Sequence, residues 1–373
     1  MKLLLHIVGL PHTGLEDRFS WCAYTGKVRR FATMMSKFDD IDVFVYHSGN
    51  GDNKGIHPSR YIQVFDEEER VRGFSEFENK APIFDDTTFF EFNSRTIGAI
   101  RTNISSEHQN IICLIAGSAH GMIAAAFPSF PSVEFGVGYA GVMPNTFRCF
   151  ESYSWMHVVY GSTMGAYQAD GRNYDVVIPN YYDVEDFSMQ SSNAPEGGYM
   201  LYLARTEVRK GVHTAVEVAK ATGAKLVVAG NGPRNFNSPG VDIEDVGFVE
   251  PEKRRELLAG ARALIQPTNF IEPFGGSVIE ALLSGVPVLT SDWGAFTETV
   301  IEGRDGFRCR TLGEYVDGWE WTSTNQKELN IQRREKAIER FSVDVVGKKY
   351  HKWLKKIAEL YEPGSLGWYK IDK

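Results

Sequence analysis

Residues 270–298 read FIEPFGGSVIEALLSGVPVLTSDWGAFTE. A loop carrying Pro273, Gly275 and Gly276 separates an apolar run, ARALIQPT (261–268), from a helical pattern, SVIEALLSG (277–285). Val278, Ala281 and Leu282 share one face of that helix, which is its packed side. A second apolar run, VPVLTSD (286–292), follows. Strand, glycine loop, helix and strand without a hairpin turn is the pattern of a parallel sheet with crossover helices. A glycine pair just before a helix lets the backbone approach an anion, which the helix's free N–H groups and dipole then face. Glu272 and Glu280 bracket this loop with seven residues between them. Carboxylates repel phosphate but accept hydrogen bonds from hydroxyls. A ligand with hydroxyls at both ends and a diphosphate between them, a sugar nucleotide, suits that order.

The same alternation extends outward. KLLLHIVGL (2–10), IDVFVYHSG (41–49), NIICLIAGS (110–118) and SVEFGVGY (132–139) read as strands in the first half. GYMLYLAR (198–205), AKLVVAGNG (224–232) and VDIEDVGF (241–248) do so in the second. Each is short and rich in Val, Ile and Leu, as strands covered on both faces are. Tyr24, Val28, Phe31 and Met35 fall on one helical face, and so do Val212, Val216 and Ala219, with Gly223 as a stop. The fold class is α/β with two Rossmann-like parallel sheets. A chain of 373 residues exceeds one ordinary core, so two domains are expected. The polar stretch 175–199, DVVIPNYYDVEDFSMQSSNAPEGGY, reads as the linker between them. The expected domains are 1–180, 181–345, and a terminal helical segment, 346–373.

Net charge is −8, so a general attraction to nucleic acid is not the base expectation. The four cysteines form no CxxC pair, which suggests neither a disulfide framework nor a structural zinc site and points to a reducing compartment. The N-terminal apolar run contains His6 and lacks a small-residue cleavage site, so it reads as a strand. No run is long enough to cross a membrane. A cytoplasmic protein is expected, at most peripheral to a membrane. Asp39–Asp42, DDID, contains an Asp-x-Asp, but it joins a helix end to a strand and is not read as a metal site.

A second anion-binding feature is YLARTEVRKG (202–211). Arg205, Arg209 and Lys210 follow a strand, where they are placed for a ligand at its C-terminal edge. Arg grips phosphate through paired N–H groups and Lys acts as a point charge. Gly230 and Gly232 form a third turn at that edge.

These residues resemble the retaining GT-B glycosyltransferases of the family 4 type. The resemblance covers LARTEVRKG, LVVAGNGP, VGFV, EPFGGSVIEALLSGVPVLTSDWGAFTETV and GFRC. It implies the GT-B fold: two Rossmann-like domains facing a cleft, with the C-terminal helix crossing back to the first. The first domain would bind the acceptor and the second a nucleoside diphosphate sugar, a UDP- or GDP-sugar. It implies that Glu280 binds the donor ribose, that Glu272 binds sugar hydroxyls, and that Arg205 and Lys210 hold the diphosphate. Gly14, Gly230, Phe274, Gly275 and Gly276 would complete the donor site. His120, in LIAGSAHG, stands where many relatives carry a catalytic histidine. Glu134 and Tyr139 fall in the segment that lines the acceptor side. Relatives have a Gly-Gly loop after the first strand, whereas here Gly9 and Gly14 are separated in GLPHTG.

The resemblance implies transfer of a hexose or pentose with retention, without a metal, to a hydroxyl on a glycan, a lipid or a hydroxylated nucleic-acid base. An epimerase of the same fold and a non-catalytic sugar-nucleotide binder are the alternatives. The terminal segment 343–361 places Val346, Tyr350, Trp353, Ile357 and Leu360 on one face and five lysines on the rest. That pattern reads as a packed helix whose Lys face could touch a membrane surface or a phosphate-rich acceptor. KVRR (27–30) is a second basic stretch.

Overall fold

The computed structural model describes residues 2–19, 22–51, 57, 60–73, 87–164, 174–323 and 326–361. They fall into two units. One comprises the described residues within Met1–Glu151, Val159–Ile178 and Val346–Lys373, the other Ser152–Val158 and Pro179–Val345.

The first unit is built on strands β1 (Leu3–Val8), β2 (Ile41–Ser48), β3 (Tyr61–Phe65), β4 (Gln109–Leu114), β5 (Ser132–Val137), β6 (Phe147–Phe150) and β7 (Val176–Val177). They form one sheet in the order 3-2-1-4-5-6-7, parallel throughout. Every residue of β1 is buried. The histidine within it is accommodated because His6 Nδ1 meets the Tyr46 hydroxyl at 2.9 Å and Nε2 meets Asn110 Oδ1 at 3.1 Å.

The second unit carries β8 (Tyr199–Leu203), β9 (Leu226–Ala229), β10 (Ile243–Gly247), β11 (Ala261–Gln266), β12 (Val288–Ser291) and β13 (Gly306–Cys309). Their order is 10-9-8-11-12-13, again all parallel. The helix Val212–Thr222 packs on one face through Val212, Val216 and Ala219, and Gly223 ends it in the left-handed conformation, φ 66°. The helix Gly276–Leu283 packs on the other through Val278, Ala281 and Leu282. Both sheets are therefore doubly wound. In each, the chain reverses direction across the sheet beside its first strand: between β1 and β4, and between β8 and β11. Ligands of such sheets bind at the carboxyl ends of the strands flanking that point.

Strands β3, β6, β7 and β13 have no counterpart among the runs expected from the sequence. Three lie at sheet edges. Their short length, and the arginines within β6 and β13, conceal the apolar pattern that marks central strands.

The stretch read as the linker, at the boundary between the units, is packed on the second unit. Tyr181 and Tyr182 are buried. The Tyr182 N–H donates to the Phe341 carbonyl at 2.9 Å, and the buried Gln190 amide donates to the Ala261 carbonyl at 2.5 Å. Its polar residues satisfy backbone groups of the second unit, which composition alone cannot reveal.

The helix Val343–Leu360 runs from the second unit into the first. Val346, Tyr350, Trp353 and Ile357 are buried. The Tyr350 ring meets Phe31 edge-on at 5.1 Å, and the Trp353 indole donates to the Tyr174 carbonyl at 2.8 Å. No helix among the described residues is long and apolar enough to cross a membrane.

Candidate functional site

The loop after β8 and the loop after β11 meet at the reversal point of the second sheet. Gly211 has φ 81°, and a Cβ there would stand 1.9 Å from the Pro267 carbonyl oxygen. Only glycine permits that approach. The Arg209 carbonyl then accepts from the Asn269 N–H at 2.8 Å and the Thr268 hydroxyl at 3.0 Å. This fastening brings Lys210 to Glu272: Nζ lies 2.8 Å from Oε2 and 3.1 Å from Oε1, with both side chains mostly buried. The Lys210 ammonium also stands 4.6 Å over the Phe270 ring.

Arg205 is more open and pairs with Glu207 at 2.7 Å, and Arg209 holds the same carboxylate. Partial burial pushes the Glu207 carboxyl up. The hydrogen bond from Arg209 and the charges of Arg205, Arg209 and Lys210 outweigh it, so Glu207 titrates below its ordinary value. Three cations thus share two carboxylates, leaving net positive charge at this edge of the sheet.

Gly275 turns the chain into the helix Gly276–Leu283 with φ 80°. A Cβ on it would fall 2.3 Å from the Phe296 ring. No side chain caps this helix, so its N-terminal dipole is unanswered by a protein carboxylate or hydroxyl at the cap. The Phe274 ring is 2% exposed and packs in the core, 6.0 Å from Phe341, which anchors this loop.

Glu280 lies on the same helix and is mostly buried beside Arg254, whose Nε is 2.6 Å from Oε2. Sequence reasoning missed Arg254. Its only signal was the basic pair within EKRRELL (252–258). The Gly230 turn is similarly tight, because a Cβ there would stand 2.0 Å from the Ala204 carbonyl oxygen. Arg234, also missed, ties that turn down. It donates to the Gly230 carbonyl at 2.6 Å and the Thr206 hydroxyl at 3.0 Å, and its Nε pairs with Asp245 at 2.6 Å.

In the first unit, Gly14 follows β1 and His120 follows β4, so both flank that sheet's reversal point. Gly14 is a packing glycine: a Cβ would meet the Asn50 carbonyl at 2.9 Å and the Phe19 ring at 3.1 Å. His120 is fully buried, and neither ring nitrogen has a hydrogen-bond partner among the described residues. Burial holds its pKa down at about 3. It precedes the helix Gly121–Ala126, yet its side chain makes no capping bond.

Glu134 is fully buried and accepts hydrogen bonds from the Tyr139 hydroxyl at 2.9 Å, the Met143 N–H at 2.9 Å and the Thr146 hydroxyl at 2.5 Å. Burial, partly offset by those bonds, raises its pKa. Glu134 and Tyr139 therefore tie down the loop after β5. The KVRR stretch makes internal pairs. Lys27 is buried, paired with Glu151 and bonded to the Gly136 carbonyl at 3.1 Å, and Arg29 pairs with Asp17. In the DDID segment, Asp40 binds His351 and Lys355, each at 2.8 Å, and Asp42 binds Lys2 at 2.9 Å.

Residues 183–340 match the family described as Glycosyl transferases group 1. This segment of the chain is a glycosyl transferases group 1 domain. Over 125 residues the chain is 31% identical to a glycogen synthase of Mycobacterium tuberculosis, an overlap of 30% of either protein. The chain thus spans about a third of the length of that relative. Its fold is similar to that of a sucrose-phosphate synthase from Thermosynechococcus elongatus, with TM-score 0.70 and 14% identity, covering 95% of this chain and 99% of that one. It is also similar to HepE of Anabaena in complex with UDP-glucose, with TM-score 0.63 and 14% identity, covering 95% and 100%. With its two parallel, Rossmann-like sheets the chain has the α/β fold class of those structures, GT-B.

Proposed function

We propose that the protein transfers a sugar from a nucleoside diphosphate sugar to an acceptor hydroxyl, with retention at the anomeric carbon. The observation that carries this reading is the Lys210–Glu272 pair beside the uncapped helix at Gly275 and Gly276. In this reading the diphosphate lies against that helix terminus, with Arg205 and Lys210 as its cationic clamp. As the glycosidic bond breaks, negative charge grows on the leaving phosphate, and these preorganised donors stabilise it. The clamp supplies this without a metal. Glu272, released from part of its bond with Lys210, accepts from sugar hydroxyls, and Glu280 accepts from the ribose. His120, whose ring nitrogens have no hydrogen-bond partner among the described residues, is the catalytic histidine of this reading.

UDP is favoured as the nucleotide because UDP-glucose occupies the HepE structure. The test is thermal stabilisation by a panel of UDP- and GDP-sugars with no metal added, followed by release of nucleoside diphosphate from the sugar that binds. At 100 times its dissociation constant a donor stabilises the fold by roughly 2.7 kcal/mol. Stabilisation followed by slow hydrolysis is expected of a transferase, while stabilisation without any turnover indicates a binding module.

A further inference from the structure

We propose that Trp293 is a platform for the sugar ring of the nucleotide sugar and sets which donors are accepted; this rests on the donor reading above. The group 1 domain leaves two large apolar side chains open next to Glu272: Ile271 is 43% exposed and Trp293 37%. Trp293 is not loosely solvated. Its indole N–H donates to the Phe270 carbonyl at 3.1 Å, which satisfies its one polar atom and fixes the ring's orientation. The preceding Asp292 is held by Arg308 at 3.1 Å and Arg310 at 2.7 Å.

The turn that follows is locked onto Glu272 itself. The Ala295 N–H donates to the Glu272 carbonyl at 3.1 Å. Gly294 has φ 62°, and a Cβ on it would stand 2.9 Å from the Glu272 nitrogen. The half-open indole and the carboxylate that takes sugar hydroxyls therefore belong to one rigid piece. A sugar ring has hydroxyls around its edge and C–H groups on its faces. The edge suits Glu272. The faces suit the negative π surface of an indole, against which C–H groups pack with the same sign of attraction as a ring edge. The indole is fixed by its N–H bond yet half-open, and a sugar ring packing its C–H face there accounts for both.

The experiment compares UDP-glucose with UDP, and GDP-mannose with GDP, by calorimetric titration of the full chain, its Trp293→Ala variant and its Trp293→Phe variant. For whichever pair binds the wild type, Trp293→Ala should weaken the sugar nucleotide about tenfold and leave the nucleoside diphosphate within twofold. Trp293→Phe, which keeps an aromatic face, should recover most of the loss. Equal weakening of both ligands would mean that Trp293 only shapes the loop, and overturns the proposal. An unchanged sugar-nucleotide affinity with a raised acceptor KM would likewise overturn it, because the platform would then serve the acceptor. If no nucleotide or sugar nucleotide binds the wild type, the donor reading itself fails and this assignment with it.

Discussion

Lys210 Nζ sits 2.8 Å from Glu272 Oε2, joining two loops that are 62 residues apart in the chain. Each group neutralises the other in the unliganded protein. Each is also the type of group that one half of a sugar nucleotide requires, a cation for the diphosphate and a carboxylate for the hydroxyls. A ligand that engages both exchanges one internal ion pair for two external ones, so the pair is preorganised without being left as bare buried charge.

Lys210→Ala should therefore lower turnover by about a hundredfold or more, since one preorganised donor to a developing oxyanion contributes about 3 kcal/mol. It also strips Glu272 of its cation, so some loss of stability accompanies it. Lys210→Arg keeps the charge and should restore stability ahead of turnover. Rates and melting temperatures measured together separate these effects, and a Lys210→Ala enzyme with near wild-type rate would remove Lys210 from the clamp.

Glu280→Gln should weaken binding of the free nucleoside diphosphate about tenfold, because a hydrogen bond to a charged group contributes about 1.5–3 kcal/mol. The structure adds a condition. Arg254 lies 2.6 Å from the Glu280 carboxylate and would lose its counter-ion. The double variant Glu280→Gln, Arg254→Gln should regain stability without regaining nucleotide affinity. If affinity returns with it, Arg254, and not the ribose contact, governs this site.

Phe274→Ala should destabilise the protein by about 3–5 kcal/mol, the usual result of removing a buried phenyl ring. Phe274→Leu fills most of that space and should retain both fold and donor binding. Denaturant unfolding and nucleotide titration on the two variants test the placement. A stable Phe274→Ala protein that has lost donor affinity would return this ring to the binding site.

The central strands and the strand–glycine–helix unit at 261–285 could be read in the sequence because burial on both faces leaves continuous apolar runs. Edge strands β3, β7 and β13 could not, since they bury too little to leave a pattern. The same physics divides the site. Gly230 and Gly275 are dictated by backbone conformation, and glycine before a helix advertises it. Arg254 and Arg234 act across tertiary contacts, to Glu280 on another helix and to Asp245 on another strand, and no local pattern records the partner. The surroundings of Glu134 are hidden for a related reason: Met143, Thr146 and Tyr139 fold back onto its carboxylate from further along the chain. His120 follows β4 through a short helical turn, Gly117–His120, and its complete burial cannot be seen from GSAHG.

That burial makes the last prediction. His6, His12 and His120 have pKa values held at about 4, about 4 and about 3, chiefly by burial, against an ordinary value of 6.5. The folded protein keeps all three neutral while the unfolded chain protonates them below pH 6.5. Their contribution is therefore fully present above pH 6.5 and is lost as pH falls toward the folded values, at roughly 1.4 kcal/mol per pH unit for each histidine within that window. Glu67, held at about 2 chiefly by its hydrogen bond from Arg70, acts only below the ordinary carboxylate value of 4.5, so it does not blur the upper part of the range. The melting temperature should fall steeply from pH 6.5 to 4.5, and His120→Ala should flatten that fall by one proton's worth. If His120 also serves the reacting sugar, the same variant at pH 8 should bind donor within a few-fold and lose transfer tenfold or more, because a group at the reacting centre acts more in the transition state than in ground-state binding. A flattened pH profile with normal transfer would make His120 a core residue, and an unchanged profile would show that its ring is reached by protons in the folded state.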